Sequence, residues 1–169
     1  IKRDYERVVR YKNRLLKEEA SDDLVESINE TLVTCGAQLV CYRAAVFEKL
    51  APALRARYDG LASRGESLRA FYVPSWEPFD VQDPRCGPIA RDEARVALAD
   101  ALAARRHEER QRRRALVGPH ADRVEFLIDG ADASLFGSQG QQRSIVLAFK
   151  LAEAAVIEEV LHQKPVLLL

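Results

Sequence analysis

Apolar residues recur at helical spacing through the first sixty or so positions of the chain. Tyr5, Val8, Val9, Leu15 and Leu16 stand at such steps among Lys, Arg and Glu. Ser21-Asp22-Asp23 then offers a cap and first-turn acids for a second helix. Along it Leu24, Ile28, Leu32, Cys35, Leu39, Tyr42, Val46 and Leu50 alternate in steps of four and three, a coiled-coil seam lasting more than three heptads. Two helices on a short polar turn predict an antiparallel hairpin, either a projecting arm or part of a compact bundle. Gly36 weakens the seam, and Pro52 predicts a kink or a new first turn.

Past Gly60 and Gly65 the period changes. Leu68, Ala70 and Tyr72 alternate with Arg69, Phe71 and Val73, a strand that Pro74 ends. The Pro-rich stretch from Ser75 to Pro88 reads as a connection, with Trp76 as a cover over the core. A helix over Ile89–Gln111 follows, then two short strands, Ala115–Val117 and Val124–Ile128, the second closed by an Asp129-Gly130 turn. The last helix, Gln139 to about His162, is apolar nearly all round and should be buried on most faces. Val166–Leu169 reads as a buried parallel strand.

Composition adds limits. The 26 basic and 26 acidic side chains cancel, so nucleic-acid or membrane affinity would need a local patch. No apolar run reaches the roughly 20 residues of a membrane span, and the charged opening Ile1-Lys2-Arg3-Asp4 is no secretory signal. Cys35, Cys41 and Cys86 lack metal-ligand spacing and suit a reduced, cytoplasmic setting, Cys35 and Cys41 as small buried hydrophobes. No metal site is expected. A start without Met and an end on an aliphatic strand suggest a piece of a longer protein.

Chemistry concentrates in Leu135-Phe136-Gly137-Ser138-Gln139-Gly140-Gln141-Gln142-Arg143. Ser138 is a natural N-cap and Gln141 completes a capping box, while Gly140 leaves first-turn amides open to close approach. Such a helix terminus attracts phosphate through free N–H groups and the helix dipole. Taken alone, these residues favour plain helix capping over a phosphate site. The run Arg105-Arg106-His107-Glu108-Glu109-Arg110-Gln111-Arg112-Arg113-Arg114 sets six arginines against two glutamates. It could meet DNA phosphates, or simply decorate a solvated helix face. His107 and His162 read as solvent-facing, and His120 as a ring that orients a backbone carbonyl or lies near nucleotide or DNA.

Ser-Gln-Gly-Gln-Gln-Arg before a long apolar helix and a Pro-led aliphatic strand resembles the RecF family of ABC/SMC-like ATPases. Gly118-Pro119-His120 resembles the family's Gly-Pro-His element, although Ala121-Asp122-Arg123 departs from its usual Arg-Asp-Asp continuation. Asp122 is the member that carries over, and Tyr11–Lys17 resembles the family's arm helix. The resemblance implies that Ser138, Gln139, Gly140 and Gln141 form a signature that caps ATP held by a second subunit, with His120, Asp122 and Arg143 in supporting roles. It further implies a parent that binds double-stranded DNA near single-strand gaps and dimerises on ATP with Mg2+. That parent would hydrolyse ATP weakly, under DNA stimulation, and help RecO and RecR load RecA during recombination and the SOS response. No Gly is followed by Lys-Ser or Lys-Thr, so the phosphate-cradling loop is missing and no catalytic residue is assigned.

The expected fold is α+β and predominantly helical: a helical arm over 1–67, a strand, connection and return helix over 68–115, and the signature lobe of an ABC-type head over 116–169. Another SMC-like ATPase head, or a non-enzymatic helical interaction module, are the alternatives. The first predicts a far longer coiled coil; the second leaves capping box, long apolar helix and terminal strand unrelated.

Overall fold

The computed structural model describes residues 1–62, 65–82, 87–162 and 165. Its elements in chain order are α1 (Lys2–Lys17), α2 (Asp22–Asp59), β1 (Leu68–Val73), α3 (Arg91–Arg112), β2 (Arg123–Ile128), β3 (Ala131–Asp132), α4 (Ala133–Phe136) and α5 (Gln139–Leu161). The predominantly helical α+β class stands. The chain divides into two compact units, Ile1–Ala45 with Val73–Pro78 and Pro88–Arg123, and Val46–Tyr72 with Phe79–Gly87 and Val124–Leu169. The division between them falls within α2 after Ala45, whereas the sequence suggests segments meeting at 67/68 and 115/116. Cys86 and the Val166–Leu169 strand lie outside the described residues.

In the second unit, β1, β2 and β3 form one sheet in that order. Leu127 pairs with Asp132 and Ile128 with Ala131 in an antiparallel register. The turn between them is Asp129-Gly130, with φ of 52° and 83°, the left-handed pair that a tight hairpin demands. Asp129 also closes the far side of the sheet: its N–H donates to Ser67 O at 3.0 Å, and its carboxylate accepts from Ser67 N at 2.9 Å. Leu54 and Tyr58 of α2 pack with Leu68 of β1, Ile128 of β2 and Ile145 and Ala148 of α5. The Tyr58 hydroxyl donates to Glu66 at 2.9 Å, and burial pushes this phenol up to about 12.

Helix α5 corrects one expectation. Only Ile145, Ala148 and Ala152 are fully buried, at steps of three and four, while Val146, Ile157, Val160 and Leu161 are exposed. An apolar residue on every face of a helix does not bring a partner to every face. The sheet and α2 cover one side.

The first unit brings α1, the first part of α2 and α3 around Tyr5, Val9, Leu32, Leu39, Leu98 and Leu102, with Trp76 packed against them. A compact bundle, rather than a free arm, is what α1 joins. The buried residues of α2 are Val25, Asn29, Leu32, Gly36, Ala37, Leu39, Val40, Ala44, Leu50, Leu54 and Tyr58. Leu32, Leu39 and Leu50 of the expected seam are among them, whereas Leu24, Tyr42 and Val46 face solvent and the buried face widens by about one residue to take in Val25, Asn29, Gly36 and Val40. Gly36 belongs to this face because a Cβ there would sit 2.9 Å from Leu98 Cδ2 and 3.3 Å from the Tyr5 ring. The helix also runs on through Pro52 rather than restarting. Cys35 and Cys41 are half-buried rather than buried, and their partial enclosure pushes both thiols up.

The expected strand at Ala115–Val117 is absent. Its amides are taken by side chains instead: Ala115 N donates to Asn13 Oδ1 at 2.6 Å, and Leu116 N to Glu109 Oε1 at 2.8 Å. Glu109 in turn holds Lys12 Nζ at 2.6 Å, both side chains being almost wholly out of water (2% and 0% exposed). Burial pushes the Lys12 ammonium down, and the Glu109 carboxylate opposes that shift. Removing one partner leaves a buried charge alone, the costly way to break such a pair. Glu109→Ala should therefore destabilise the chain by about 3 kcal/mol in urea unfolding. The double change Lys12→Met/Glu109→Leu should recover much of that loss; an additive or larger loss would show the pair is not coupled.

Candidate functional site

Helix α5 starts where the capping box requires. Ser138 has φ −62° and ψ 158°, outside the helix, and its hydroxyl accepts from Gln141 N at 3.2 Å. Gln141 Oε1 returns the contact by accepting Ser138 N–H at 2.8 Å. Helical bonding begins with Gln142 N to Ser138 O, which leaves the first-turn amides of Gln139 and Gly140 pointing out of the helix end. Gln142 reaches back, its Nε2 donating to the carbonyls of Ala133 and Gly137 at 3.2 Å each. A second cap precedes it: Asp132 Oδ1 accepts from Ser134 Oγ and from Ser134 N, each at 2.7 Å, and the hydroxyl bond above all, then the amide, holds its carboxyl below the usual range. Ser138, Gln139, Gly140 and Arg143 are exposed, as are Leu135 and Phe136 just upstream. The result is a capped, solvent-open helix terminus whose leading amides have no partner within the helix, a geometry suited to an anion.

The Gly118-Pro119-His120 element is differently placed. It is knotted into the first unit. Gly118 takes φ +127°, and a Cβ there would run into the Tyr5 hydroxyl. Its N–H donates to Ser75 Oγ at 2.8 Å, and Ser75 Oγ donates to its carbonyl at 3.2 Å. The Tyr5 hydroxyl meets His120 Nδ1 at 2.7 Å, while His120 Nε2 lies 3.3 Å from Ala115 O. A proton on Nε2 suits both contacts, so that Tyr5 donates to the bare Nδ1. Asp122, its side chain 2% exposed, accepts from Ser75 N at 2.8 Å and faces Arg43 Nη1 at 3.6 Å. Arg43 also donates to Pro119 O.

The arginine run lies along the end of α3 and just beyond it. Arg105 and Arg112 pair with Glu108, Arg106 and Arg110 with Asp22, and Arg113 with Glu19. Arg114 is exposed, as is His107 on the same helix. Glu109, read from sequence as one charge of this run, turns inward to Lys12 instead. Among the described residues no group of three or more His, Cys, Asp or Glu side chains could hold a metal, and no helix is long and apolar enough to cross a membrane. Ser138–Gln141 belong to the second unit, and His120, Asp122 and the arginines to the first.

No family model matches the chain. Across 98% of its length it is 40% identical, over 166 residues, to the DNA replication and repair protein RecF of Symbiobacterium thermophilum. The same-named protein of Microcystis aeruginosa is 33% identical over 181 residues spanning 100% of the chain. The chain belongs to the RecF family. Solved structures of the recombination mediator protein RecF in the RecFOR pathway, with ATP and with ATPrS, match it at TM-scores of 0.82 and 0.81. Their identities are 29% and 27%, and they cover 98% and 95% of this chain. The chain spans 43% and 46% of the two curated RecF relatives, and 43% and 42% of the two solved chains.

Sequence reasoning missed Tyr5, Arg43 and Ser75, which fasten the Gly118–Asp122 segment of this RecF-family chain. Periodicity marks Tyr5 only as one apolar position of α1 and does not mark Arg43 or Ser75, because the three come from different parts of the chain and only the fold unites them. Partial desolvation of the ring lowers the affinity of His120 for a proton below its ordinary 6.5, although the residue as a whole is exposed. The unfolded chain therefore binds the proton first as pH falls, and folding stability drops from about 6.5 downward. Urea unfolding from about pH 8 to about pH 5 should show this loss, and His120→Gln should lose less stability over the same interval. Equal losses in the two proteins would mean that His120 is protonated as easily folded as unfolded.

Proposed function

We propose that this chain is the part of a RecF-type DNA repair ATPase that supplies the signature, with Ser138, Gln139, Gly140 and Gln141 capping ATP bound by a second subunit. The observation that carries this reading is the exposed, doubly braced N-terminus of α5 within a chain of the RecF family. Its hydroxyl and outward amides match the γ-phosphate of a nucleotide presented from outside, and the helix dipole adds to the attraction. ATP supplies the anion that joins two heads. This chain supplies the fixed donors, held by the Ser138–Gln141 box and by Gln142 on the α4 carbonyls. No described cluster fits Mg2+, so no step is assigned to it.

The intact protein, on this reading, has an ABC-type ATPase head. It acts in the cytoplasm on double-stranded DNA near single-strand gaps, dimerises on ATP, hydrolyses it weakly, and works with RecO and RecR to load RecA. Relatives named RecF and structures placed in the RecFOR pathway support this role over a different SMC-like head or a purely structural helical module. Arg143 stands on the same exposed first turn of α5 and is assigned a supporting place beside the phosphate.

The test is Ser138→Arg in a full-length protein carrying this chain. Nucleotide binding to a single subunit should persist, whereas ATP-dependent dimerisation and hydrolysis should both fail. Ser138→Ala serves as the control for capping alone and should cost roughly 0.5–2 kcal/mol of stability. Light scattering with ATP reads the first outcome. A Ser138→Arg protein that still dimerises on ATP would reduce Ser138 to a helix cap.

A further inference from the structure

We propose that the arginine face of α3 is a docking surface for the phosphates of duplex DNA, and that Asp22 stands in a phosphate position on it in the free chain. This rests on the reading of the intact protein as one that handles DNA, and it adds where the DNA lies and what occupies that place beforehand. Asp22 divides its carboxylate between two guanidiniums one helical turn apart: Oδ2 takes Arg106 Nη2 at 2.9 Å, and Oδ1 takes Arg110. A phosphodiester is gripped in the same way, by separate arginines on its two anionic oxygens. Glu19 extends the pattern by holding Arg113 at 2.7 Å.

Both acids come from one short stretch, Glu19 beyond the end of α1 and Asp22 at the start of α2. A single connection thus lays two carboxylates along a line of arginines at positions 106, 110 and 113. Arg106 and Arg110 stand about 6 Å apart along α3 at about 1.5 Å per residue, and Arg113 lies just past its C-terminal end. A DNA strand carries a charge about every 3.4 Å of axis, so the line matches about three phosphates. The ion pairs are open to water: Asp22 is 59% exposed and Arg106 45%. Pairs in such surroundings are weak and readily exchanged for a polyanion. The stretch therefore lowers DNA affinity without preventing binding, and it screens arginines that would otherwise attract any anion.

The test uses the chain itself, a fluorescein-labelled DNA duplex and a salt series, read by anisotropy. Asp22→Asn should tighten binding up to about fivefold, the most that an exposed pair is ordinarily worth. It should also steepen the log–log salt slope by about 0.9 for each additional phosphate engaged. Adding Arg106→Ala and Arg110→Ala should cancel both effects. Asn suits a helix start, and Glu19→Gln, outside any helix, gives an independent variant with the same expected direction. Circular dichroism verifies that each variant is folded. Unchanged or weaker binding by both folded variants would overturn the proposal, as would no detectable binding by any form. Equal tightening toward polyglutamate, with none toward the duplex, would overturn it in favour of an acidic protein partner. None of these results touches ATP-dependent dimerisation, so the signature reading stands or falls separately.

Discussion

The buried Lys12–Glu109 pair is the interaction on which the rest of the first unit depends. Two ionised groups leave water almost entirely, which is unfavourable unless each finds its partner at close range. Lys12 of α1 meets Glu109 of α3 at 2.6 Å. Glu109 uses its second oxygen on Leu116 N, and Asn13, the residue after Lys12, takes Ala115 N. One charge pair and two side-chain-to-backbone bonds thus fix where the chain goes after α3. From there the left-handed turn at Gly118 follows, with His120 folded back on Tyr5 and Asp122 set between Ser75 and Arg43.

Polar fastening of this kind trades stability for uniqueness, a role buried ionic groups serve in some proteins. An apolar replacement could pack as tightly, yet it would tolerate α1 shifted by a turn. The second unit is organised by a different rule. Its sheet and α5 meet through aliphatic side chains and the edge-to-face pair Phe126–Phe149, and part of its polar order lies at helix ends, where Asp132 and Ser138 each cap a helix through backbone amides. A site that must present amides to an outside anion gains from such order. The donors are aimed before the ligand arrives, so less freedom is lost on binding.

Much of this is legible in the sequence. Local chemistry places β1, β2, the Asp129-Gly130 turn and the Ser138–Gln141 box, because each is decided within a few residues. What stays hidden is non-local. The buried face of α2 keeps Leu32, Leu39 and Leu50 of the expected seam but leaves Leu24, Tyr42 and Val46 in solvent, because it turns to include Asn29 and Gly36, which hydropathy does not flag. Ala115–Val117 has the composition of a strand, but the partners of its amides are side chains on α1 and α3. Glu109 has the sequence surroundings of one surface charge among arginines. Its burial follows from Lys12, ninety-seven residues away. Family membership is legible too, carried by the Ser-Gln-Gly-Gln-Gln-Arg and Gly-Pro-His stretches.

The central claim is that the N-terminus of α5 receives a nucleotide from a second subunit. Hydrogen exchange on a full-length protein carrying this chain tests it most directly, comparing the segment Ser138–Arg143 with and without ATP across a dilution series. Protection of the Gln139 and Gly140 amides is predicted with ATP at concentrations that support dimers, and its loss on dilution while the nucleotide stays bound. Amides that exchange at the same rate in the ATP-bound dimer as in the free protein would contradict the claim.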